Sequence, residues 1–275
     1  MMLSVQKIKL TLAISWAVLS CTQVQAQPVK PSYLTTDFRL WKVEPPQLGY
    51  QAEPRSQNIE SSAQLIFAAP PPPPDIGEPG QRSEAGSRGC ENINKQLPAV
   101  AQKRLTALVP VYSDSELVLG ATIAEYPTFW FYIPYQPPIP GKFVLRDKDG
   151  KLVYQTDVTL PETPGVVSVS LPRAEAPLEI GKRYHWFLKI YCKAQQPPTF
   201  VEGWIQRNSL NPVLKSQLEK ATPRDRFDLY ATNGIWFDAL STAVELRRRN
   251  PQDTSWAALL RAVGLNNIAI EPIVQ

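Results

Sequence analysis

The sequence is poor in the side chains from which most enzyme centres are built. Among 275 residues there is one histidine, His185, and there are three cysteines. Any His-dependent triad must therefore pass through His185, and no Gly-x-Ser-x-Gly turn accompanies it, so it reads as a hydrogen-bonded strand residue. Once the N-terminal Cys21 is set aside as part of an export signal, two cysteines and one histidine are too few for a zinc set, and no metal or cofactor is expected. Charge of one sign is also scarce. The 29 basic and 25 acidic residues leave a net of +4, which is weak for a nucleic-acid partner that must displace many counterions. Beyond the N-terminus no run of 18 apolar residues occurs, so no transmembrane helix is expected in a mature chain.

What is present begins with an export signal. Lys7 and Lys9 precede an apolar stretch from Leu10 to Leu19, the length of a signal-peptide core and too short to span a bilayer. Val24-Gln-Ala26 then puts small side chains at the peptidase positions and predicts cleavage before Gln27. A second reading takes Val18-Leu-Ser-Cys21 as a loose lipoprotein site with a lipid anchor on Cys21, although Leu19 stands where a small residue is preferred. Either route leaves Cys90 and Cys192, an even pair that in an oxidising compartment reads as one disulfide. Two buried free thiols are the alternative.

Residues 27–88 carry eleven of the 28 prolines, including Pro70 to Pro74. They read as a disordered Pro-rich spacer with short apolar islands, Phe38–Trp41 and Leu65–Phe67, suited to docking on a partner or on the domain itself. The Gly- and Arg-rich stretch from Gly77 to Cys90 lacks the Lys-Ser/Thr of a P-loop and reads as a flexible entry loop.

From 105 to 207 the pattern predicts about seven antiparallel strands, among them 128–133, aromatic on both faces. Two more, 142–146 and 151–155, flank an Asp149-Gly150 hairpin turn. That turn also absorbs Asp147 and Asp149, which otherwise suggest a calcium loop. Leu178-x-x-Gly181-x-x-Tyr184-x-Trp186 is the pattern of a tyrosine corner in fibronectin type III-like modules.

Helices follow. Asn211-Pro212 opens the first, with Val213, Leu214 and Leu218 on one side, and Thr222-Pro-Arg-Asp225 opens the second as a capping box. A third runs from about 235 to 249, where Arg247 to Arg249 suit a helix C-terminus. A fourth starts near 253 and stops at Gly264. Tyr230, Gly234, Ala239 and Pro251 fall at tetratricopeptide offsets, but one degenerate repeat cannot stack into a solenoid. The expected architecture is α+β: signal peptide 1–26, spacer 27–88, an immunoglobulin/fibronectin III-like β-sandwich 89–208, and a helical region 209–275.

The Cys90 entry loop, Leu105–Pro110, Glu125–Pro134, Gly181–Trp186, Val201–Trp204 and Asn233–Trp236 together resemble an uncharacterised cyanobacterial family, domain of unknown function 928. The resemblance implies an exported cyanobacterial protein and assigns no activity. The expected role is a non-catalytic envelope module in the periplasm or at the cell surface, binding a protein or glycan partner. Tyr126 and Tyr135 are the candidate partner surface. One alternative is an envelope hydrolase that gathers carboxylates such as Glu125, Glu162 and Glu202. The other is a structural subunit assembled through its helices.

Overall fold

The computed structural model describes residues 67–71, 79–84, 90, 103–112, 114–137, 139–193 and 195–274, all within the second of the chain's two units, Glu60–Gln275. The expected signal peptide, Cys21, the island Phe38–Trp41 and most of the expected spacer lie outside these residues. The described strands are β1 (Thr106–Ala107), β2 (Val111–Tyr112), β3 (Leu117–Thr122), β4 (Thr128–Ile133), β5 (Gly141–Asp147), β6 (Leu152–Val158), β7 (Gly165–Ser170), β8 (Arg183–Ile190) and β9 (Thr199–Arg207). The helices are α1 (Pro212–Lys220), α2 (Pro223–Thr232), α3 (Trp236–Arg249) and α4 (Ser255–Ala262). The described residues are thus α+β, two sheets followed by four helices.

The smaller sheet has the order β1-β4-β7 and the larger the order β2-β3-β9-β8-β5-β6. Strand periodicity sets what each face carries. On β4, Phe129 and Phe131 point at the larger sheet, where Phe129 meets Phe143 with centroids 4.8 Å apart and Phe131 meets Trp186 at 5.7 Å. Trp130 and Tyr132 point the other way and are equally buried, because the helical region covers them. Trp130 Nε1 donates to Ser241 Oγ of α3 at 3.2 Å, and Glu271 lies beside the Tyr132 hydroxyl, which burial first and that carboxylate second push up to about 12. Aromatic residues on both faces of β4 therefore follow from its central place between a sheet and helices.

Close packing between β8 and β9 requires a glycine. A Cβ on Gly203 would fall 2.6 Å from the Trp186 ring, so the indole occupies the space that a side chain would take.

The ladders are antiparallel with one exception. Strand β3 pairs parallel to β9, Leu119 opposite Trp204 and Thr122 opposite Arg207, which corrects the expectation of an all-antiparallel fold. Neither β2 nor β3 was expected. Leu117-Val-Leu-Gly-Ala-Thr122 is buried at every position, so it shows none of the alternation by which a half-exposed strand is recognised.

Residues ahead of position 89, the expected start of the sandwich, also pair with the sheets. In the segment 79–84, Gln81 exchanges backbone bonds with Glu202 of β9, and Arg82 and Glu84 bond to Ala107 and Leu105 around β1. These described residues tie one sheet to the other. Phe67 packs edge-on against Trp236 at 4.9 Å, and the Ala68 N–H donates to the Ala231 carbonyl. Phe67, the one described residue of the island Leu65–Phe67, thus docks on the domain's own helices.

The helix signals act as their chemistry dictates. The Asn211 side chain caps α1 through the Leu214 N–H at 2.7 Å, and Thr222 and Asp225 form the capping box of α2. On α1, Leu214 and Leu218 are buried whereas Val213 is 71% exposed. Val213 therefore does not share their face, since neighbouring helix positions point about 100° apart.

Candidate functional site

The core-facing side of the larger sheet is closed by Tyr184, Trp186, Leu188 and Ile190 of β8 and by Val201 and Ile205 of β9. Alternation then dictates the opposite side. Arg183, His185, Phe187 and Lys189 of β8 lie beside Gln206, Trp204, Glu202 and Phe200 of β9, and all eight are half-buried.

Rings pair across and along these strands. His185 stacks on Trp204 with centroids 4.3 Å apart and planes 13° from parallel, and meets Phe187 at 4.2 Å. The Lys189 ammonium stands 5.2 Å from the Phe187 ring centre, within cation–π range. The result is a continuous row, Lys189–Phe187–His185–Trp204. His185 Nε2 is also 3.1 Å from Glu202 Oε2. The distance is that of a hydrogen bond but the alignment is not, so this contact acts as an ion pair when the imidazole is protonated. A His–carboxylate pair can hold or move a proton, and no serine or cysteine nucleophile stands against it in the contacts described.

The residues singled out from the sequence are scattered. Tyr135, expected to be an exposed partner contact, is 1% exposed, which corrects that reading. Its hydroxyl donates to Glu84, and burial with that carboxylate raises its pKa. Glu84 is itself buried and also accepts from Thr199 Oγ1 at 2.7 Å and from the Leu105 N–H at 3.2 Å. Tyr126 is half-exposed, with the Arg173 guanidinium 5.9 Å from its ring centre.

The three glutamates do not converge. Glu125 pairs with Arg207 at 3.1 Å, Glu202 faces His185, and Glu162 lines a groove between β6 and β7. Among the described residues no group of three or more His, Cys, Asp or Glu side chains is placed to hold a metal ion. No helix there is long and apolar enough to cross a membrane.

The motif residues are structural. Gly181 adopts φ +80° and turns the chain so that the Tyr184 hydroxyl accepts from the Glu179 N–H at 2.9 Å, while Trp186 is fully buried. Cys90 and Cys192 form a disulfide with Cα atoms 5.0 Å apart, joining residues 102 positions apart in sequence. Asp147 stays in the hairpin turn, where its Oδ1 accepts from the Asp149 and Lys151 N–H groups.

Sequence reasoning passed over one polar cleft. Between α2 and α3 lies a space of about 250 Å³ lined by Arg226, Tyr230, Asp238, Thr242, Glu245 and Arg249. Asp238 Oδ2 accepts from Thr122 Oγ1 at 2.7 Å and from the Ile123 N–H at 3.2 Å. Burial raises its pKa to about 6, and these bonds oppose the rise. Asp238 sits in the first turn of α3, where any acidic residue reads as a helix-end charge, so only the fold reveals it.

Residues 83–273 match the family described as Domain of Unknown Function (DUF928). The chain belongs to that family. No curated protein matches it. The DUF928 region takes in both sheets, all four helices and the disulfide, and its description carries no activity, so no residue role passes to this chain by membership.

Proposed function

We propose that this DUF928 protein is an exported, non-catalytic cell-envelope module that binds a protein or glycan partner with the outer face of its larger sheet. The observation that carries the reading is the half-buried row Lys189–Phe187–His185–Trp204. The solvent side of a sheet is ordinarily polar. Here four of the eight side chains on β8 and β9 are aromatic rings and a fifth is Arg183, and aromatic residues and arginine are the types in which interface cores are rich. A protein partner fits this face better than a sugar ring, because the Trp204 ring already gives one of its two faces to His185 and polar side chains flank the row.

Export is supported by the N-terminal apolar stretch and by the Cys90–Cys192 bridge, which suits an oxidising compartment such as a periplasm. A cyanobacterial source accompanies the family resemblance. An immunoglobulin/fibronectin III-like identity is supported by β1-β4-β7 facing β2-β3-β9-β8-β5-β6 and by the Tyr184 hydrogen bond at the entry to β8. Such sandwiches serve many binding roles and do not by themselves specify one.

Affinity capture tests the reading. The wild-type chain and a Phe187→Ala/Trp204→Ala double variant are presented to an envelope protein extract and to a glycan array. The wild type retains a partner that the double variant loses by at least about tenfold, as loss of two central aromatic contacts implies. Equal retention by both, or none by either, overturns it.

A further inference from the structure

Strand β7 is an edge strand of the smaller sheet, and edge strands expose backbone donors and acceptors to any passing chain. Proteins usually blunt such edges with lysine, proline or a bulge. Gly165-Val-Val-Ser-Val-Ser170 has none of these, and its ladder with β4 runs without a register shift. The opposite case is close by. Edge strand β6 carries Asp157, and its partner ladder is bulged between Leu145 and Arg146.

The chain already uses part of the β7 edge. The Val166 N–H donates to the Pro272 carbonyl, and the Val166 carbonyl accepts from the Val274 N–H, a parallel bridge made by the C-terminal segment. Backbone groups alternate sides along a strand, so the N–H and C=O of Ser168 and Ser170 point the same way as those of Val166. No strand partner meets them among the described residues. Beside them runs a groove of about 580 Å³ that ends on β6. Val158 and Leu160 supply apolar lining, and the charged residues that line it, Asp157 and Glu162, are both acidic and exposed.

We propose that this edge is a strand-addition site for an extended basic peptide. Its backbone continues the ladder at Ser168 and Ser170, its apolar side chains enter the groove, and its alternating lysines or arginines meet Asp157 and Glu162. Main-chain bonds give such a site its affinity, and pockets for alternate side chains give it selectivity. The occupant is a peptide because extended chain, this chain's own residues 272–274, already bridges to the same edge. It is basic because the charged residues lining the groove are acidic; Asp157 has Lys142 Nζ 3.5 Å away, and Glu162 supplies the second carboxylate. This site is separate from the aromatic row and does not depend on it.

The test uses the full exported chain with its disulfide intact and a short fluorescein-labelled peptide of alternating valine and lysine, read by fluorescence anisotropy. Two further peptides carry backbone N-methyl groups, one on every valine and one on every lysine. In a strand these two sets of N–H groups face opposite sides, so one methylated peptide binds like the parent and the other weakens by about tenfold or more. Exchanging lysine for glutamate in the peptide weakens binding, as does the Asp157→Lys/Glu162→Lys variant, both of whose positions are exposed. Failure of the parent peptide to bind, equal affinity of the two methylated peptides, or indifference to the charge reversals would each overturn the proposal.

Discussion

Glu84 and Tyr135, 51 residues apart in sequence, are hydrogen-bonded in the interior, and the same carboxylate takes in the Thr199 hydroxyl and the Leu105 N–H. One buried side chain thus ties the entry segment to β9, to the start of β1 and to the exit of β4. Glu84→Ala strands three donors at once, each costing about 1–3 kcal/mol when left without a partner. The expected loss is about 3 kcal/mol or more. Glu84→Gln keeps an acceptor and loses less. Urea unfolding at neutral pH with the disulfide intact checks the order; equal stability of the alanine and glutamine variants would refute it.

The two faces of the larger sheet separate stability from binding. Trp186 is fully buried between the sheets, whereas Trp204 is half-buried on the outer face. Trp186→Ala leaves a large cavity and is expected to cost about 3–5 kcal/mol. Trp204→Ala forfeits one stacking contact and part of its burial, about 1–2 kcal/mol. Denaturant midpoints of the two variants give the comparison. A Trp204→Ala loss as large as that of Trp186→Ala would mean that the outer row is core rather than surface.

Much of this fold was legible because the local chemistry is strong. The β5–β6 hairpin, the caps of α1 and α2, and the tyrosine corner each depend on a few neighbouring residues, and the chain obeyed them. Strand β3 was not legible, since it is covered on both sides and carries no alternation, and it lacks the aromatic run that marks the equally covered β4. The site was legible in part. The series Arg183-x-His185-x-Phe187-x-Lys189 has charged residues at both ends, which marks it as the outward set. Tyr126 and Tyr135 looked more accessible because they flank an aromatic strand and sit near prolines. Whether Tyr135 points outward depends on Glu84, and nothing in sequence links two residues so far apart.

The Cys90–Cys192 bridge closes a long loop around most of the β-structure. A cross-link of this span restricts the unfolded chain by roughly 4–5 kcal/mol on the chain-entropy account. A Cys90→Ser/Cys192→Ser double variant is expected to lose about 2–5 kcal/mol while keeping its far-UV circular dichroism spectrum, because Leu105, Phe131 and Trp186 hold the sheets together independently. Matching denaturation curves with and without reductant would show that the bridge contributes nothing.

Asp238 gives the fold a pH dependence of unusual sign for an aspartate. Burial raises its pKa from 3.8 to about 6 in the folded chain, so between these values the native state holds a proton that the unfolded state has released. Stability therefore falls as pH rises from about 4 to about 6, and the deficit is complete above that window. Two pKa units correspond to about 2–3 kcal/mol, and the side chain's remaining exposure toward the α2–α3 cleft lowers that figure. Asp238→Asn keeps an oxygen for Thr122 and Ile123 but cannot ionise. The variant should match the wild type near pH 4 and exceed it by about 1–2 kcal/mol at pH 7. Unfolding of both chains at several pH values isolates this group, because every other titration is common to the two. A difference that stays constant across the window would show that Asp238 ionises as freely in the folded chain as in the unfolded one.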